Sequence, residues 1–241
     1  MRVGLFVTCL VDLVRPQIGF SAIKLLERAG CTVEVPAAQT CCGQPGYNSG
    51  DVPVARDLAL QVLRAFESYD YLVAPSGSCV ATIKTDYPEL FGDDPDLKAR
   101  FDTLAAKTYE LTDFLVNVAK LQSLDSGFAG EIAYHDSCSG LRSLGVKAQP
   151  RKLLAMLPGV RLTEMDGAEQ CCGFGGTFSI KYGNISTEIV EEKCRNLAAC
   201  GAGALVLGDL GCMLNIEGRL RRNGDEKTRV LHVAQVLAGD A

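Results

Sequence analysis

Short apolar runs alternate with longer amphipathic stretches along the whole chain. The first run is residues 3–7 (VGLFV), which has the length of a buried strand. The stretch that follows carries apolar residues at helical spacing, and Gly30 ends it. Its apolar positions are Ile18, Ala22, Leu25, Leu26 and Ala29. This pattern predicts a strand followed by a helix.

Two further stripes of the same kind predict long helices. The first comprises Val54, Leu58, Val62 and Phe66, with Asp51 as the expected N-cap and Pro53 in the first turn. The second follows Ser186 and comprises Val190, Cys194, Leu197 and Ala198. Strands that alternate with helices indicate βαβ units and a parallel sheet, so the predicted fold class is α/β.

The second half of the chain repeats the first. The run that ends at Cys9 corresponds to residues 131–138, and Cys-Cys-Gly occurs at 41–43 and again at 171–173. Residues 71–79 (YLVAPSGSC) likewise match residues 204–212 (ALVLGDLGC). A tandem duplication explains these matches, and it predicts two pseudo-symmetric, Rossmann-like lobes with parallel sheets.

The expected boundary between the lobes lies in the turn-rich segment 122–130 (QSLDSGFAG). We therefore predict one domain at residues 1–122 and a second at residues 130–241. Each is expected to end in a helix, at 111–121 and at 231–237.

Composition and charge exclude several classes of protein. Apolar residues make up 47% of the chain and charged residues 22%, as in ordinary globular proteins. The apolar runs are too short to cross a bilayer, and no signal-peptide pattern is present, so we expect a cytoplasmic protein without a transmembrane segment. A net charge of −5 and the lack of a basic run argue against nucleic-acid binding.

Cysteine usage is unusual, because the 241 residues include 11 cysteines. In a reducing compartment such a set indicates metal binding or redox chemistry rather than disulfides. Eight of them form two sets with the same order, a single cysteine, an adjacent pair and another single cysteine. The sets are Cys9, Cys41, Cys42 and Cys79, and Cys138, Cys171, Cys172 and Cys212.

The placement of these cysteines predicts a cofactor site in each lobe. The single cysteines follow strands, and the carboxyl ends of parallel strands are where ligands bind. Four thiolates suit an iron–sulfur cluster or zinc, not calcium or magnesium. Gly43, Gly173, Gly175 and Gly176 lie in the loops beside the pairs, where backbone N–H groups could point at cluster sulfurs. Burial of the cysteines as small side chains, or disulfides, explains the repeat less well.

Three cysteines and the two histidines need separate interpretation. Cys31, Cys194 and Cys200 have no counterpart in the other half, and we assign them to core packing. His135 precedes Cys138 by three residues, and Phe6 occupies the matching position of the first half. We therefore favour a hydrogen-bonding role beside the metal over direct ligation, with a structural role as the alternative. His232 is expected at the surface or as a helix cap.

The cysteine order resembles a known family, the cysteine-rich (CCG) domain found in heterodisulfide reductases and in the iron–sulfur subunits of glycolate oxidases. Within it, the chain is similar to iron–sulfur subunits of lactate utilization systems. The matching stretches are FVTCLVD, CCGQPGYNSG, APSGSC, YHDSCSGLRSLGVKAQP, CCGFGGTFSIKYGNIS and LGDLGCMLNIEGRL. The resemblance implies an electron-transfer subunit of a flavin-independent complex that oxidises L-lactate to pyruvate, with other iron–sulfur subunits as partners.

The chain departs from the wider family pattern at one position in each half. The family pattern ends in Cys-x-x-Cys, and here its first cysteine is replaced by Ser76 and by Asp209. Four thiolates per half favour an ordinary [4Fe–4S] cluster, with zinc in one half as the alternative. Two other functions stay open, a thiol/disulfide oxidoreductase subunit of heterodisulfide reductase type and a zinc-binding structural module. Any enzymatic role is expected to depend on partner subunits.

Overall fold

The computed structural model describes all 241 residues, which form two compact units, Met1–Lys120 and Leu121–Ala241. Each unit is built on a four-stranded sheet in which every neighbouring pair of strands is parallel. The predicted α/β class and the two pseudo-symmetric lobes are confirmed.

In the first unit the sheet has the order β2-β1-β3-β4. Its strands are β1 (Arg2–Leu5), β2 (Thr32–Glu34), β3 (Tyr71–Ala74) and β4 (Thr108–Glu110). Its helices are α1 (Cys9–Val14), α2 (Pro16–Arg28), α3 (Gln44–Asn48), α4 (Val52–Phe66), α5 (Gly77–Ala81), α6 (Tyr87–Leu90), α7 (Pro95–Ala106) and α8 (Leu111–Asp113). Two π-helical turns, Thr82–Asp86 and Phe114–Val118, continue α5 and α8.

The second unit repeats this topology with the order β6-β5-β7-β8. Its strands are β5 (Gly130–His135), β6 (Val160–Leu162), β7 (Ala204–Leu207) and β8 (Arg229–His232). Its helices are α9 (Cys138–Leu144), α10 (Ala148–Leu154), α11 (Phe178–Lys181), α12 (Gly183–Cys200), α13 (Leu210–Arg222) and α14 (Val233–Ala238). No helix of either unit has the length and apolar character that crossing a bilayer requires.

The long helices form where the apolar stripes predict them. In α2 the stripe residues Ile18, Ala22, Leu25 and Leu26 are buried, and Gly30 follows the helix with φ 79°. Asp51 caps α4 as predicted, because its carboxylate accepts a hydrogen bond from the Val54 N–H at 3.3 Å. In α12 the stripe is buried except for Ala198, which is exposed.

The sequence prediction is wrong at the ends of the two units. Residues 231 and 232 belong to strand β8, and the last helix begins only at Val233. In the first unit the predicted helix 111–121 ends at Val118, and strand β4, which precedes it, was not predicted. His232 is fully buried, and its Nδ1 caps α14 by accepting from the Ala234 N–H at 3.2 Å.

Candidate metal centres

The two central strands of each sheet lead directly to the single cysteines. In the first unit β1 is followed by α1, whose first residue is Cys9, and β3 is followed by α5, which contains Cys79. Because β1 pairs with β2 on one side and β3 pairs with β4 on the other, the connections diverge between β1 and β3. Such a switch point opens a crevice at the carboxyl ends of the strands. Cys138 and Cys212 follow β5 and β7 in the same way.

The four cysteines of the first unit come together in that crevice. The thiol of Cys41 lies in hydrogen-bonding contact with those of Cys9 and Cys42, and Cys42 is in turn in contact with Cys79. Hydrogen bonds from Cys42 and Cys9 lower the pKa of Cys41 far below its ordinary value. The same contacts raise the pKa values of Cys9 and Cys42.

The second unit has the same arrangement of sulfurs. Cys171 is in hydrogen-bonding contact with Cys138 and Cys172, and Cys172 is in contact with Cys212. Hydrogen bonds from Cys138 and Cys172 lower the pKa of Cys171 and raise those of its two donors.

The chemistry of these donors fits a thiophilic metal or an iron–sulfur cluster. All 11 cysteines are free thiols. In each group one thiol ionises easily only because its neighbours keep their protons, since four thiolates in contact repel one another. A bound cation removes this restriction, because a thiol that coordinates a metal is deprotonated.

Backbone groups beside the adjacent pairs support the sulfurs. The Gly43 N–H donates to Cys41 Sγ at 3.4 Å, and the Gly173 N–H donates to Cys171 Sγ at 3.3 Å. Both glycines have a positive φ, 81° and 83°, and a Cβ at Gly173 would lie 2.7 Å from the Ser186 carbonyl oxygen. Glycine is therefore required at the latter position.

The other two glycines predicted at the site lie two and three residues after Gly173. Gly175 and Gly176, with φ of 51° and 61°, form the turn that leads into α11. The Gly175 carbonyl accepts a hydrogen bond from the Phe178 N–H at 3.2 Å.

Two residues that the sequence did not single out hold the second cysteine of each pair. The Tyr87 hydroxyl donates to the Cys42 carbonyl at 2.7 Å, and the Asn215 amide donates to the Cys172 carbonyl at 2.8 Å. Tyr87 and Asn215 are unrelated in type, and they lie 45 and 43 residues from their acceptors along the chain. No sequence signal would have identified either one.

The residues that replace the fifth cysteine are helix caps. Ser76 Oγ accepts from the Cys79 N–H at 3.3 Å at the start of α5. Asp209 Oδ1 accepts from the Gly211 N–H at 3.2 Å at the start of α13. Serine and aspartate are favoured as N-caps. Both therefore stabilise the first turn that carries a site cysteine.

His135 lies against the sulfurs of the second unit and is fully buried. One of its ring nitrogens, Cys172 Sγ and Cys212 Sγ all lie within 4.8 Å of one another. Its Nδ1 is 3.1 Å from the Ala168 carbonyl oxygen, whereas its Nε2 has no hydrogen-bond partner. Burial, and secondarily the charge of Lys193, lower the pKa of His135 to about 3.

Charged side chains surround the second site in a way that the sequence did not reveal. Asp136 is buried, and Arg151 donates to both of its oxygens at 2.8 Å. Lys193 is only 1% exposed and donates to the Gly167 carbonyl. In the sequence, the one sign of a buried charge is the position of Lys193 within the apolar stripe of α12. Lys147 pairs with Glu169 at the surface.

The depth of the cysteines differs within each group. Cys42, Cys172 and Cys212 are buried, whereas Cys9, Cys41, Cys79, Cys138 and Cys171 are half-buried. Of the three cysteines assigned to core packing, Cys31 and Cys194 are buried, and Cys200 is half-buried at the end of α12. The sulfurs of each site thus extend from the buried interior of the unit to its partly exposed surface.

Comparison with known proteins identifies the same two regions. Residues 3–84 and 132–217 match the family model described as the CCG cysteine-rich domain. The chain is 50% identical to lactate utilization protein A of Geobacillus kaustophilus over 237 residues. This aligned region covers 98% of this chain and 98% of the relative. It is 46% identical to the protein of that name from Bacillus subtilis, with 98% of this chain and 99% of the relative covered.

A solved structure has the same fold. The crystal structure of a hypothetical protein from Helicobacter pylori superposes with a TM-score of 0.67 and 13% identity. All of this chain is covered, and it spans 49% of that longer protein.

Proposed function

Because the chain belongs to the cysteine-rich (CCG) domain family and to the family of lactate utilization protein A, we propose that it is an iron–sulfur electron-transfer subunit of a cytoplasmic L-lactate oxidation system. The observation that carries this proposal is the contact of four thiols at the sheet switch point of each unit. The relatives' names support a role in lactate utilization, and the donor chemistry of the four thiols in each unit supports electron transfer.

In this proposal each unit holds one [4Fe–4S] cluster through its own four cysteines. Such a cluster exchanges single electrons at a potential set by its ligands, hydrogen bonds and exposure. The Gly43 and Gly173 N–H groups donate to sulfur, and Tyr87 and Asn215 fix the carbonyls of the adjacent pairs. The half-buried cysteines keep the clusters near the surface, where a partner iron–sulfur subunit can exchange electrons.

Anaerobic purification followed by iron, sulfide and zinc analysis tests the proposed cofactor. We expect a brown protein whose iron and sulfide contents correspond to two clusters per chain. Cys172→Ser should lose about half of the iron, whereas Cys194→Ser, which changes a buried cysteine outside the site, should lose none. Colourless protein that contains only zinc would refute the electron-transfer proposal.

Complementation tests the cellular role. A Bacillus subtilis strain that lacks its own lactate utilization protein A should regain growth on L-lactate when it expresses this chain, and Cys172→Ser should not restore growth. The purified chain alone should not oxidise lactate, because iron–sulfur clusters pass on single electrons and do not break the C–H bond of the substrate, a step that we assign to partner subunits. Lactate oxidation by the isolated chain would contradict the assignment as an electron-transfer subunit.

One observation favours a second candidate, zinc in the second unit. His135 together with Cys172 and Cys212 provides nitrogen and sulfur donors of the kind that zinc binds. One cluster and one zinc ion per chain would be the corresponding result of the metal analysis.

A further inference from the structure

The imidazole of His135 lies beside the sulfurs of the second unit, with a ring nitrogen within 4.8 Å of Cys172 Sγ and Cys212 Sγ. The side chain is fully buried, so no bulk water reaches it. Nε2 has no hydrogen-bond partner. A buried polar atom without a partner is costly and rare, and it calls for a ligand. The following inference rests on the proposed metal centre of the second unit and concerns its ligands.

The hydrogen bond at Nδ1 determines what Nε2 can do. The Ala168 carbonyl oxygen, 3.1 Å from Nδ1, can only accept a hydrogen bond, so Nδ1 carries the proton. In a neutral imidazole with that tautomer, Nε2 bears a lone pair and has no proton to donate. It therefore cannot donate a hydrogen bond to a cluster sulfur, which is the role that the sequence favoured. A buried nitrogen lone pair without a partner, on a ring beside two thiols, is the electronic state of a metal ligand.

The surroundings of His135 resemble the usual support of a metal-bound histidine. Such histidines donate their other N–H to a carbonyl or carboxylate, which fixes the ring and its tautomer. Here the Ala168 carbonyl accepts from His135 Nδ1 and also from the Asp136 N–H at 3.1 Å. The loop that contains Ala168 thus orients the ring toward Cys172 and Cys212.

We propose that His135 Nε2 is a direct metal ligand in the second unit, beside the thiolates of Cys172 and Cys212. The first unit has no equivalent donor, because the matching residue is Phe6, which is fully buried and packs on Phe66 with ring centroids 5.6 Å apart. The two centres consequently differ in kind, with thiolates alone in the first unit and thiolates plus imidazole in the second.

The composition of the chain makes this inference simple to test, because it contains only two histidines. Protein labelled with ¹⁵N-histidine, reconstituted with ferrous iron and sulfide and then reduced, is studied by electron–nuclear double resonance. We expect a ¹⁵N coupling of the strength that a directly bound nitrogen gives. This measurement needs no substitution and therefore does not depend on the folding of a variant.

Matched variants assign the coupling. His135→Asn keeps an amide N–H that can reach the Ala168 carbonyl but removes the nitrogen at the ε position, so the coupling should disappear. His232→Asn keeps a capping acceptor for the Ala234 N–H and should leave the coupling unchanged. A ¹⁵N coupling that survives in His135→Asn would overturn the proposal, as would wild-type protein with full iron content and no bound-nitrogen signal.

Failure of the proposed function is separable from failure of this inference. If the metal analysis finds zinc in the second unit, electron transfer through that unit is excluded. The ¹⁵N chemical shift of His135 in the NMR spectrum of the same labelled protein then reports ligation. A shift unchanged on zinc removal would refute the inference in that case.

Discussion

Asp136 is a buried acid two residues before Cys138, and Arg151 is its charge partner. The guanidinium donates to both carboxylate oxygens, and it also donates to Glu164 through Nε at 2.6 Å. The Asp136 side chain is 0% exposed and that of Arg151 is 18% exposed. This ion pair therefore joins α10 to the segment that carries His135 and Cys138.

We expect Arg151→Met to destabilise the second unit by about 3 kcal/mol, because it leaves the Asp136 carboxylate buried without its partner. The metal content should fall together with the stability, since the segment that carries Cys138 loses the ion pair that joins it to α10. Urea unfolding of the anaerobic protein measures the change in free energy.

The control for this prediction is Arg161→Met. Arg161 pairs with Glu131 at the surface, with 76% of its side chain exposed, and such pairs contribute about 0–1 kcal/mol. Equal unfolding midpoints for the two variants would show that the Asp136 pair has no special role.

At the scale of elements, the junction of β4 and α8 contains an acid whose environment opposes its charge. Glu110 is buried and caps α8, where its carboxylate accepts from the N–H groups of Thr112 and Asp113 at 2.8 and 3.1 Å. Burial raises the pKa of Glu110 to about 7, and these hydrogen bonds offset the effect only in part.

This raised pKa predicts a loss of stability with rising pH. Between pH 4.5 and 7 the unfolded chain has released the Glu110 proton while the folded chain still holds it, so the free energy of unfolding falls over that range. Relative to Glu110→Gln, which stays neutral, the wild-type protein should lose up to about 3 kcal/mol. Urea unfolding at several values between pH 5 and 7.5 measures the difference.

A matched substitution controls for general effects of charge. Glu27 lies on the exposed side of α2, and Glu27→Gln should follow the wild-type pH dependence. A constant difference between wild type and Glu110→Gln across the pH range would contradict the prediction.

The elements that sequence patterns predicted are those with long amphipathic stripes. Helices α2 and α4 carry several buried apolar residues at helical spacing, and Gly30 and Asp51 mark their ends. The buried residues of strand β4 are Thr108 and Glu110, so no apolar run marks it, and strand β8 leads directly into α14. Leu231 could therefore be assigned equally well to a strand or to the start of a helix.

The candidate site likewise contains features that the sequence predicted and features that it did not. The order of its cysteines is a local pattern repeated along the chain, and it predicted which thiols belong together. The contact of His135 with Ala168 joins residues 33 positions apart, and the burial of Lys193 depends on how α12 packs. The contact of His135 leaves no local pattern, and the place of Lys193 within an apolar stripe does not show what the lysine contacts, so both required the structure.

At the scale of the whole molecule, the 11 cysteines separate by environment into three classes. Eight lie in the two sulfur groups, Cys31 and Cys194 are buried elsewhere, and Cys200 is half-buried on its own. Metal binding should protect only the first class.

We therefore expect iodoacetamide to label only Cys200 in the folded, metal-loaded protein. Removal of the metal by a chelator should add the five half-buried site cysteines, whereas Cys31 and Cys194 should react only after unfolding. Mass spectrometry of peptides measures each site. Rapid labelling of Cys9 or Cys138 in protein with full metal content would contradict their role as ligands.

Each unit draws its four thiols entirely from its own segment of the chain, so neither centre needs the other in order to assemble. If each site holds the proposed cluster, a shortage of iron or damage by oxygen would act on the two centres separately, and one could be rebuilt while the other stays intact. The duplication thus gives the chain two sites that would fill independently.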